Sequence, residues 1–372
     1  MRISDLYWPV TFFSTAFGAG IFFLPQAVGP IVLGMVPFIV FITGAMLVSL
    51  MAHYVFFKFI SFHPEKDYLA ASSKFIGRRS ASVTCALFIV SMMIIVLINF
   101  IALVNVVSSF LSDSLTVRFF VSLLLSSALS AVWLLFNTEV EKLISRIALL
   151  SIISVAGVAV FFFFQPVREQ LLDLPGMDSV NSLTLLPVFL FTFNFTPCIQ
   201  RFTKNSGNPE ARKLVAGKII IFVFILVFVL AVSRLLTPED INIINHRNID
   251  ALSYTANLTG NQAVWFCAAL LVSLLTAGAY TGTLTGVIDG IDSFGALNKR
   301  FILSCNIFIC TVVGTANPDI VKIIANGSMP VIVTTVFFIP SIYFIIKGCM
   351  LMKIIGTLVL LSGTAVIVTL FI

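Results

Sequence analysis

The sequence predicts an all-α protein that crosses a membrane eleven times. Of its 372 residues, 59% are hydrophobic and 10% are charged, whereas a soluble domain carries roughly 25% charged residues on a surface that faces water. The apolar residues also form ten stretches without Lys, Arg, Asp or Glu, and a membrane-spanning helix needs about 20 such residues. The stretches are 6–52, 81–112, 119–138, 147–167, 179–200, 219–233, 251–288, 301–318, 323–346 and 354–372.

Two stretches have lengths that do not suit one span. The first is twice as long as a span requires, and Gly29-Pro30 followed by Gly34 and Pro37 divides it into two. The stretch 219–233 is short, so we extend it to residue 214 and expect Lys218 to snorkel toward the interface. Eleven spans result, in one membrane domain that covers residues 1–372.

The distribution of basic residues predicts the orientation. With a cytoplasmic N-terminus, seventeen of the 22 Lys and Arg residues lie in cytoplasmic connections and five lie outside, as the positive-inside rule requires. The C-terminus is then periplasmic. This bias also accounts for the net charge of +6, and no basic run indicates a nucleic-acid partner. The long outer connection at residues 237–262 opens with a helix-start signal, Thr237-Pro238-Glu239-Asp240, and predicts a folded cap.

Spans 1 and 6 are predicted to be broken near the middle of the bilayer. Span 1 contains Gly18-Ala-Gly20, and span 6 contains Asn194-Phe-Thr-Pro197. Paired interruptions in two halves of a membrane protein are typical of an inverted-repeat transporter with a central site. Freed N–H groups favour a carboxylate and freed carbonyls favour an ammonium group, so the expected substrate is an amino acid. The substrate-binding candidates are Thr15, Ala16, Gly18, Ala19, Gly20, Phe193, Asn194 and Thr196.

Two kinds of coupling ion stay open at this point. A proton needs a titratable group, and ionisable residues within spans are functional candidates; His53 and Asp289 are the ones near the inner ends of spans 2 and 8. Sodium needs oxygen ligands, which Thr281 and backbone carbonyls around Ser14–Phe17 could supply. Glycines at 278, 282, 286 and 290 lie beside Thr281 on one ridge of span 8, and close helix packing explains them equally well.

The sequence contains no motif typical of an enzyme: no Walker sequence, no HExxH and no nucleophile elbow. The six cysteines form no CxxC pair, so neither a metal centre nor any other cofactor is expected. A channel or a non-transporting sensor on the same scaffold is the rival of a different class. The oligomeric state is not predicted.

Several motifs resemble the hydroxy and aromatic amino acid permeases, in particular the branch of serine/threonine proton symporters. They are STAFGAGIFFLPQAVG at 14–29, MAHYVF at 51–56, FTFNFTPCIQRF at 191–202, LTPEDI at 236–241, NIDALSYTAN at 248–257 and TANPDIVKII at 315–324. The resemblance implies a bacterial inner-membrane protein with a LeuT-type fold: two inverted repeats of five helices, at about 7–164 and 183–346, an extra helix at about 350–372, and discontinuous helices 1 and 6. It implies uptake of serine or threonine with protons.

Two positions and one segment depart from the serine branch. Gly278 stands where serine permeases of this family have a lysine, and Phe195 stands where they usually have histidine. The segment GVIDGIDSFG at 286–295 is more similar to the tyrosine and tryptophan branch. An aromatic amino acid is therefore the second substrate expectation, and sodium is the second coupling ion.

Overall fold

The structure is a computed structural model, and it describes residues 3–63, 65, 67–111, 114–136, 139–168, 183–206, 210–295 and 297–371. In this part of the chain all regular structure is helical. We number the helices α1 (Ile3–Ala16), α2 (Ala19–Phe22), α3 (Leu24–Val28), α4 (Pro30–Leu33), α5 (Met35–Ser61), α6 (Tyr68–Ile76), α7 (Arg78–Ser109), α8 (Leu115–Phe136), α9 (Val140–Phe163), α10 (Leu186–Thr192), α11 (Thr196–Asn205), α12 (Ala211–Ser233), α13 (Pro238–Arg247), α14 (Ala251–Leu258), α15 (Gln262–Asp292), α16 (Lys299–Ala316), α17 (Ile320–Lys347) and α18 (Met350–Val368).

Nine helices of the described residues are long and apolar enough to cross a membrane: α5, α7, α8, α9 (from Lys142), α12, α15, α16, α17 and α18. Their outer faces carry exposed apolar side chains such as Leu124 and Leu135, which are 71% and 80% exposed. Water would not stabilise such a surface, but lipid does. The prediction of a helical protein with several membrane spans is therefore confirmed.

The remaining apolar segments are built from short helices. The chain is not helical at Phe17 and Gly18, between α1 and α2, nor at Asn194 and Phe195, between α10 and α11. Pro25 and Pro30 occupy the first turns of α3 and α4, where proline needs no hydrogen-bond donor. Gly34, with a φ of 82°, then starts α5, a conformation that favours glycine.

Helices α7 and α15 form the centre of the bundle, and the glycine ridge of α15 explains its packing. A Cβ atom on Gly278 would lie 3.0 Å from Ser14 Oγ of α1. A Cβ atom on Gly286 would lie 3.0 Å from the Cβ of Pro197 in α11. A Cβ atom on Gly290 would lie 2.8 Å from the Ile89 side chain of α7. The glycines thus let α15 approach α1, α11 and α7 closely. This contact accounts for the ridge by packing and brings Thr281 beside α1.

The connection after α12 is folded, as predicted. Thr237 and Asp240 form a reciprocal capping box at the start of α13, and Asp250 caps α14 by accepting a hydrogen bond from the Ser253 N–H. Gln26 donates to the Ile249 carbonyl at 2.8 Å, so this cap is attached to α3. The spacing of the apolar stretches also predicts a second long outer connection at about 165–182, and this one lies mostly outside the described residues.

Candidate functional site at the helix interruptions

The first interruption is closed by a side chain from α7. The Asn99 amide oxygen accepts a hydrogen bond of 2.9 Å from the backbone N–H of Ala19. A Cβ atom on Gly18 would lie 2.1 Å from that oxygen and 2.8 Å from Ala279 Cβ. Gly18 therefore has no room for a side chain. Ala16 ends α1 and is buried beside this contact.

The second interruption faces the first. A Cβ atom on Gly20 would lie 2.8 Å from the ring of Phe191, and the Thr192 hydroxyl approaches the Gly20 carbonyl at 3.5 Å. On the other side of the gap, the rings of Phe12 and Phe195 stack with centroids 4.8 Å apart. The structure thus brings together two groups of candidates that are about 175 residues apart in sequence.

Asn194 is the central polar residue of the second interruption. Its amide oxygen accepts hydrogen bonds from the Thr196 backbone N–H at 3.1 Å and from the Thr196 hydroxyl at 2.5 Å. Its amide nitrogen is buried and has no hydrogen-bond partner among the described residues. A buried donor without a partner costs free energy, so this NH₂ group is a natural contact for an incoming acceptor such as a carboxylate.

His53 of α5 is joined directly to this group. Its Nε2 lies 3.0 Å from the Thr196 hydroxyl and 3.4 Å from the Asn194 amide oxygen. The imidazole is buried against Phe195, with ring centroids 4.4 Å apart. Sequence analysis set His53 near the inner end of its span; the structure adds its contact with α11.

The structure corrects the expectation that Lys218 snorkels, and it adds this lysine to the candidate functional residues, from which sequence analysis had omitted it. It does not snorkel, because its side chain is completely buried at the eighth position of α12, about 10 Å from the start of the helix. Its Nζ donates to the Phe193 carbonyl at 2.6 Å and to Ser49 Oγ at 2.9 Å, and it lies 3.0 Å from His53 Nδ1. The sequence feature that could have revealed this buried lysine is the stretch 219–233, which is too short to span a membrane unless Lys218 lies within the span.

The candidates around Ser14 form a second group, between α1 and α15. The Ser14 hydroxyl is buried without a partner in the described part of the chain and faces Gly278. The hydroxyls of Thr15 and Thr281 donate to Thr11 and Ala277 carbonyls of their own helices. Phe17 is buried, with its ring stacked on Phe13.

Asp289 lies apart from His53 and Lys218. It pairs with Arg201 at 2.7 Å, and both side chains are about one-fifth exposed. This ion pair joins α15 to the C-terminal half of α11.

No protein-family model matches the chain. The chain is 24% identical to the serine transporter SdaC of Escherichia coli K12 over 375 residues, which cover 91% of this chain and 87% of the relative. It is 23% identical to the threonine/serine transporter TdcC of Escherichia fergusonii, over 91% of this chain and 88% of the relative. Its homologues are serine and threonine/serine transporters. The resemblance found in the sequence is thereby confirmed, and these homologues are not enzymes.

The chain is also similar in fold to a solved structure. This structure is Mhp1, a nucleobase-cation-symport-1 family transporter, in a closed conformation with bromovinylhydantoin bound. The TM-score is 0.60 at 9% sequence identity, and the match covers 98% of this chain and 91% of Mhp1. At this identity the likeness establishes a transporter fold and nothing about the ligand.

Proposed function

We propose that the protein is a secondary active amino-acid transporter that binds its substrate between the two helix interruptions. The observation that carries this proposal is the Asn194 amide nitrogen, a buried donor of the second interruption without a partner among the described residues. A substrate carboxylate would accept from this group; of the backbone N–H groups at 18–20, those of Gly18 and Ala19 are already bonded to the Ala16 carbonyl and to Asn99 Oδ1. The Gly20 carbonyl is an acceptor of the kind that a substrate ammonium group needs, whereas the Phe193 carbonyl already accepts from Lys218.

Serine or threonine is the substrate that we propose first. The similarity to the serine transporter SdaC and the threonine/serine transporter TdcC supports it, and the Thr15 and Thr196 hydroxyls are suitable partners for a hydroxyl group. An aromatic amino acid is the alternative, and the rings of Phe193 and Phe195 beside Asn194 favour it.

The proposed architecture is that of the LeuT-type transporters. Helices α1–α4 and α10–α11 would be the discontinuous spans 1 and 6, which together with the nine long helices gives eleven spans. Two repeats at about 7–164 and 183–346 and an extra helix at about 350–372 complete this arrangement. We propose a bacterial inner-membrane location with a cytoplasmic N-terminus, on the positive-inside bias.

The proposed coupling ion is a proton, carried by a titratable group near the second interruption. His53 is preferred over Asp289, because it contacts Asn194 and Thr196 directly whereas Asp289 is held by Arg201. A sodium site is the second candidate, and one observation favours it: the Ser14 hydroxyl is buried without a described partner. With Thr281 and the Phe17 carbonyl it would supply hard oxygen ligands.

The test is uptake of labelled amino acids by proteoliposomes, first under an inward proton gradient and then under an inward sodium gradient at symmetric pH. We expect saturable accumulation of serine or threonine in the first condition. Asn194→Ala should raise KM at least tenfold, while Asn257→Ala, at an exposed position of α14, should leave it unchanged. Conductance without substrate, or no saturable uptake of any amino acid, would refute transport by this mechanism.

Variants at the two ion sites separate the coupling candidates. If sodium drives uptake, Thr281→Ala should weaken the sodium dependence; an intact dependence contradicts the sodium site. If protons drive uptake, Asp289→Asn should retain accumulation and His53→Gln should lose it.

A further inference from the structure

The Lys218 ammonium group has no counter-ion in the part of the chain that the structure describes, although a buried charge normally has one. Its three N–H donors match three acceptors: the Phe193 carbonyl, Ser49 Oγ and His53 Nδ1. Within the described residues no carboxylate lies within ion-pair distance of it. The face of the Phe195 ring, 4.3 Å from Nζ, adds a favourable contact. A charge at this depth is expensive and is retained in membrane proteins chiefly for function.

Among the described side chains, the surrounding helices bring no other charge into contact with this lysine. Helices α1, α3, α4, α5, α9 and α14 pack on α12, and the only titratable side chain among their described residues that hydrogen-bonds Lys218 is His53. Tyr254 of α14 donates to Asp240 instead. Lys58 of α5 points toward the rings of Tyr54 and Phe57, and Lys142 and Arg146 of α9 are exposed. Tyr7 of α1 is partly exposed, and α3 and α4 have no titratable residue.

A continuous set of hydrogen bonds leads from Lys218 to the proposed substrate site. If His53 Nδ1 accepts from the ammonium, Nε2 carries the imidazole proton and can donate to the Thr196 hydroxyl at 3.0 Å. That hydroxyl donates in turn to the Asn194 amide oxygen. Every donor in this direction meets an acceptor, so the four side chains form one consistent relay.

We propose that Lys218 holds the coupling proton and exchanges it with the substrate site through His53. The proposal rests on amino-acid transport as the proposed function. In the release step, Nζ gives a proton to His53 Nδ1, while the Nε2 proton passes to water at Thr196 and leaves to the cytoplasm. Lys218 becomes a neutral amine, and a proton from periplasmic water restores the ammonium by the reverse route in the next cycle.

This exchange is linked to the geometry of the second interruption. The ammonium has three N–H groups for three acceptors, whereas the neutral amine has two and must release one acceptor. One of these acceptors is the Phe193 carbonyl, which belongs to the interruption itself. Protonation of Lys218 thus ties α12 and α5 to the α10–α11 gap, and deprotonation loosens that attachment.

Lys218→Met tests the proposal by separating exchange from accumulation. Exchange of internal for external serine at symmetric pH requires no net proton movement, so the variant should retain it within about threefold of the wild-type rate. Under an inward proton gradient, wild type should accumulate serine, whereas Lys218→Met should only equilibrate it. Its exchange rate should also lose the pH dependence of wild type, a change that loss of packing alone would not produce.

Two further variants keep the test decisive if Lys218→Met does not fold. Lys218→Arg retains the charge but holds its proton tightly, and His53→Gln retains hydrogen bonds without a titratable ring; both should exchange and fail to accumulate. Lys213→Met, five residues earlier in α12, is the matched control and should behave as wild type. Gradient-driven accumulation by Lys218→Met or Lys218→Arg at the wild-type level would overturn the proposal. A wild type that exchanges no amino acid would instead contradict the proposed function.

Discussion

The Oδ1 atom of Asn99 lies 2.9 Å from the backbone nitrogen of Ala19. An amide oxygen of α7 therefore accepts a hydrogen bond from the N–H group that the first interruption exposes. The same side chain donates through Nδ2 to the Ile95 carbonyl, one turn earlier in α7, and this bond fixes the orientation of the amide. Asn99 therefore satisfies a buried backbone donor with the kind of oxygen atom that a carboxylate would present.

Asn99→Ala should destabilise the protein, because the Ala19 N–H would be left buried without an acceptor. Such a group costs about 1–3 kcal/mol, and we expect a lower apparent Tm in detergent together with weaker serine uptake. Asn257→Ala provides the comparison, since that side chain is exposed and has no such role. An unchanged Tm in Asn99→Ala would mean that another group satisfies the Ala19 N–H.

Gly18→Ala should be severely impaired, and Asn99→Ala should relieve part of the damage. The new Cβ would lie 2.1 Å from the Asn99 oxygen, so one of the two must move. In the double variant that oxygen is absent, and only the contact with Ala279 Cβ, at 2.8 Å, remains. A double-mutant cycle on apparent stability measures this coupling. Strictly additive effects would contradict direct contact between the two residues.

Gly20→Val should abolish uptake although the protein still reaches the membrane. Its side chain would enter the Phe191 ring, which is 2.8 Å from the Cβ position, and would push α10 away from α2. Gly44→Val in α5 is the matched control, because no atom lies within 4 Å of a Cβ there. Membrane fractions and initial uptake rates check both variants; normal kinetics in Gly20→Val would show that the two interruptions do not need this contact.

The locations of the two interruptions could be predicted because glycine and proline act locally on the backbone. The Gly18-Ala-Gly20 and Asn194–Pro197 patterns favour a break in an apolar segment. The structure has non-helical residues at both places. The folded cap at 237–258 was predictable for the same reason, since Thr237 and Asp240 are neighbours in sequence.

The partners of those interruptions could not be predicted, because they come from distant helices. Nothing in the sequence near Ala19 indicates that Asn99, 80 residues later, is its acceptor. Lys218 was misassigned for a related reason: a lysine close to the end of an apolar stretch can reach the interface or turn inward. The choice depends on Ser49, His53 and the Phe193 carbonyl, which together replace the water that the ammonium would otherwise bind.

The folded cap at 237–258 should respond to pH because the pKa values of two of its aspartates are shifted in opposite directions. Burial raises the pKa of Asp250 from its ordinary value of 3.8 to about 6. Burial acts in the same direction on Asp240, but hydrogen bonds from Thr237 and Tyr254 outweigh it, and the pKa of that carboxyl is lowered. The folded state therefore favours the protonated form of Asp250 and the ionised form of Asp240.

Protonated Asp250 contributes its full stabilisation below pH 3.8, and this stabilisation is lost as the pH rises through about 6. A shift of two pKa units corresponds to roughly 3 kcal/mol in the free energy of unfolding. Asn is an equally good helix cap and cannot ionise, so Asp250→Asn should gain in Tm relative to wild type between pH 4 and 7. Asp240→Asn should do the opposite, because its contribution is present above pH 3.8 and disappears in acid. Thermal unfolding of the three proteins in detergent, from pH 7 down to well below pH 3.8, measures both slopes. If the Tm difference between Asp250→Asn and wild type does not change with pH, the buried carboxyl at the start of α14 is not the group that titrates.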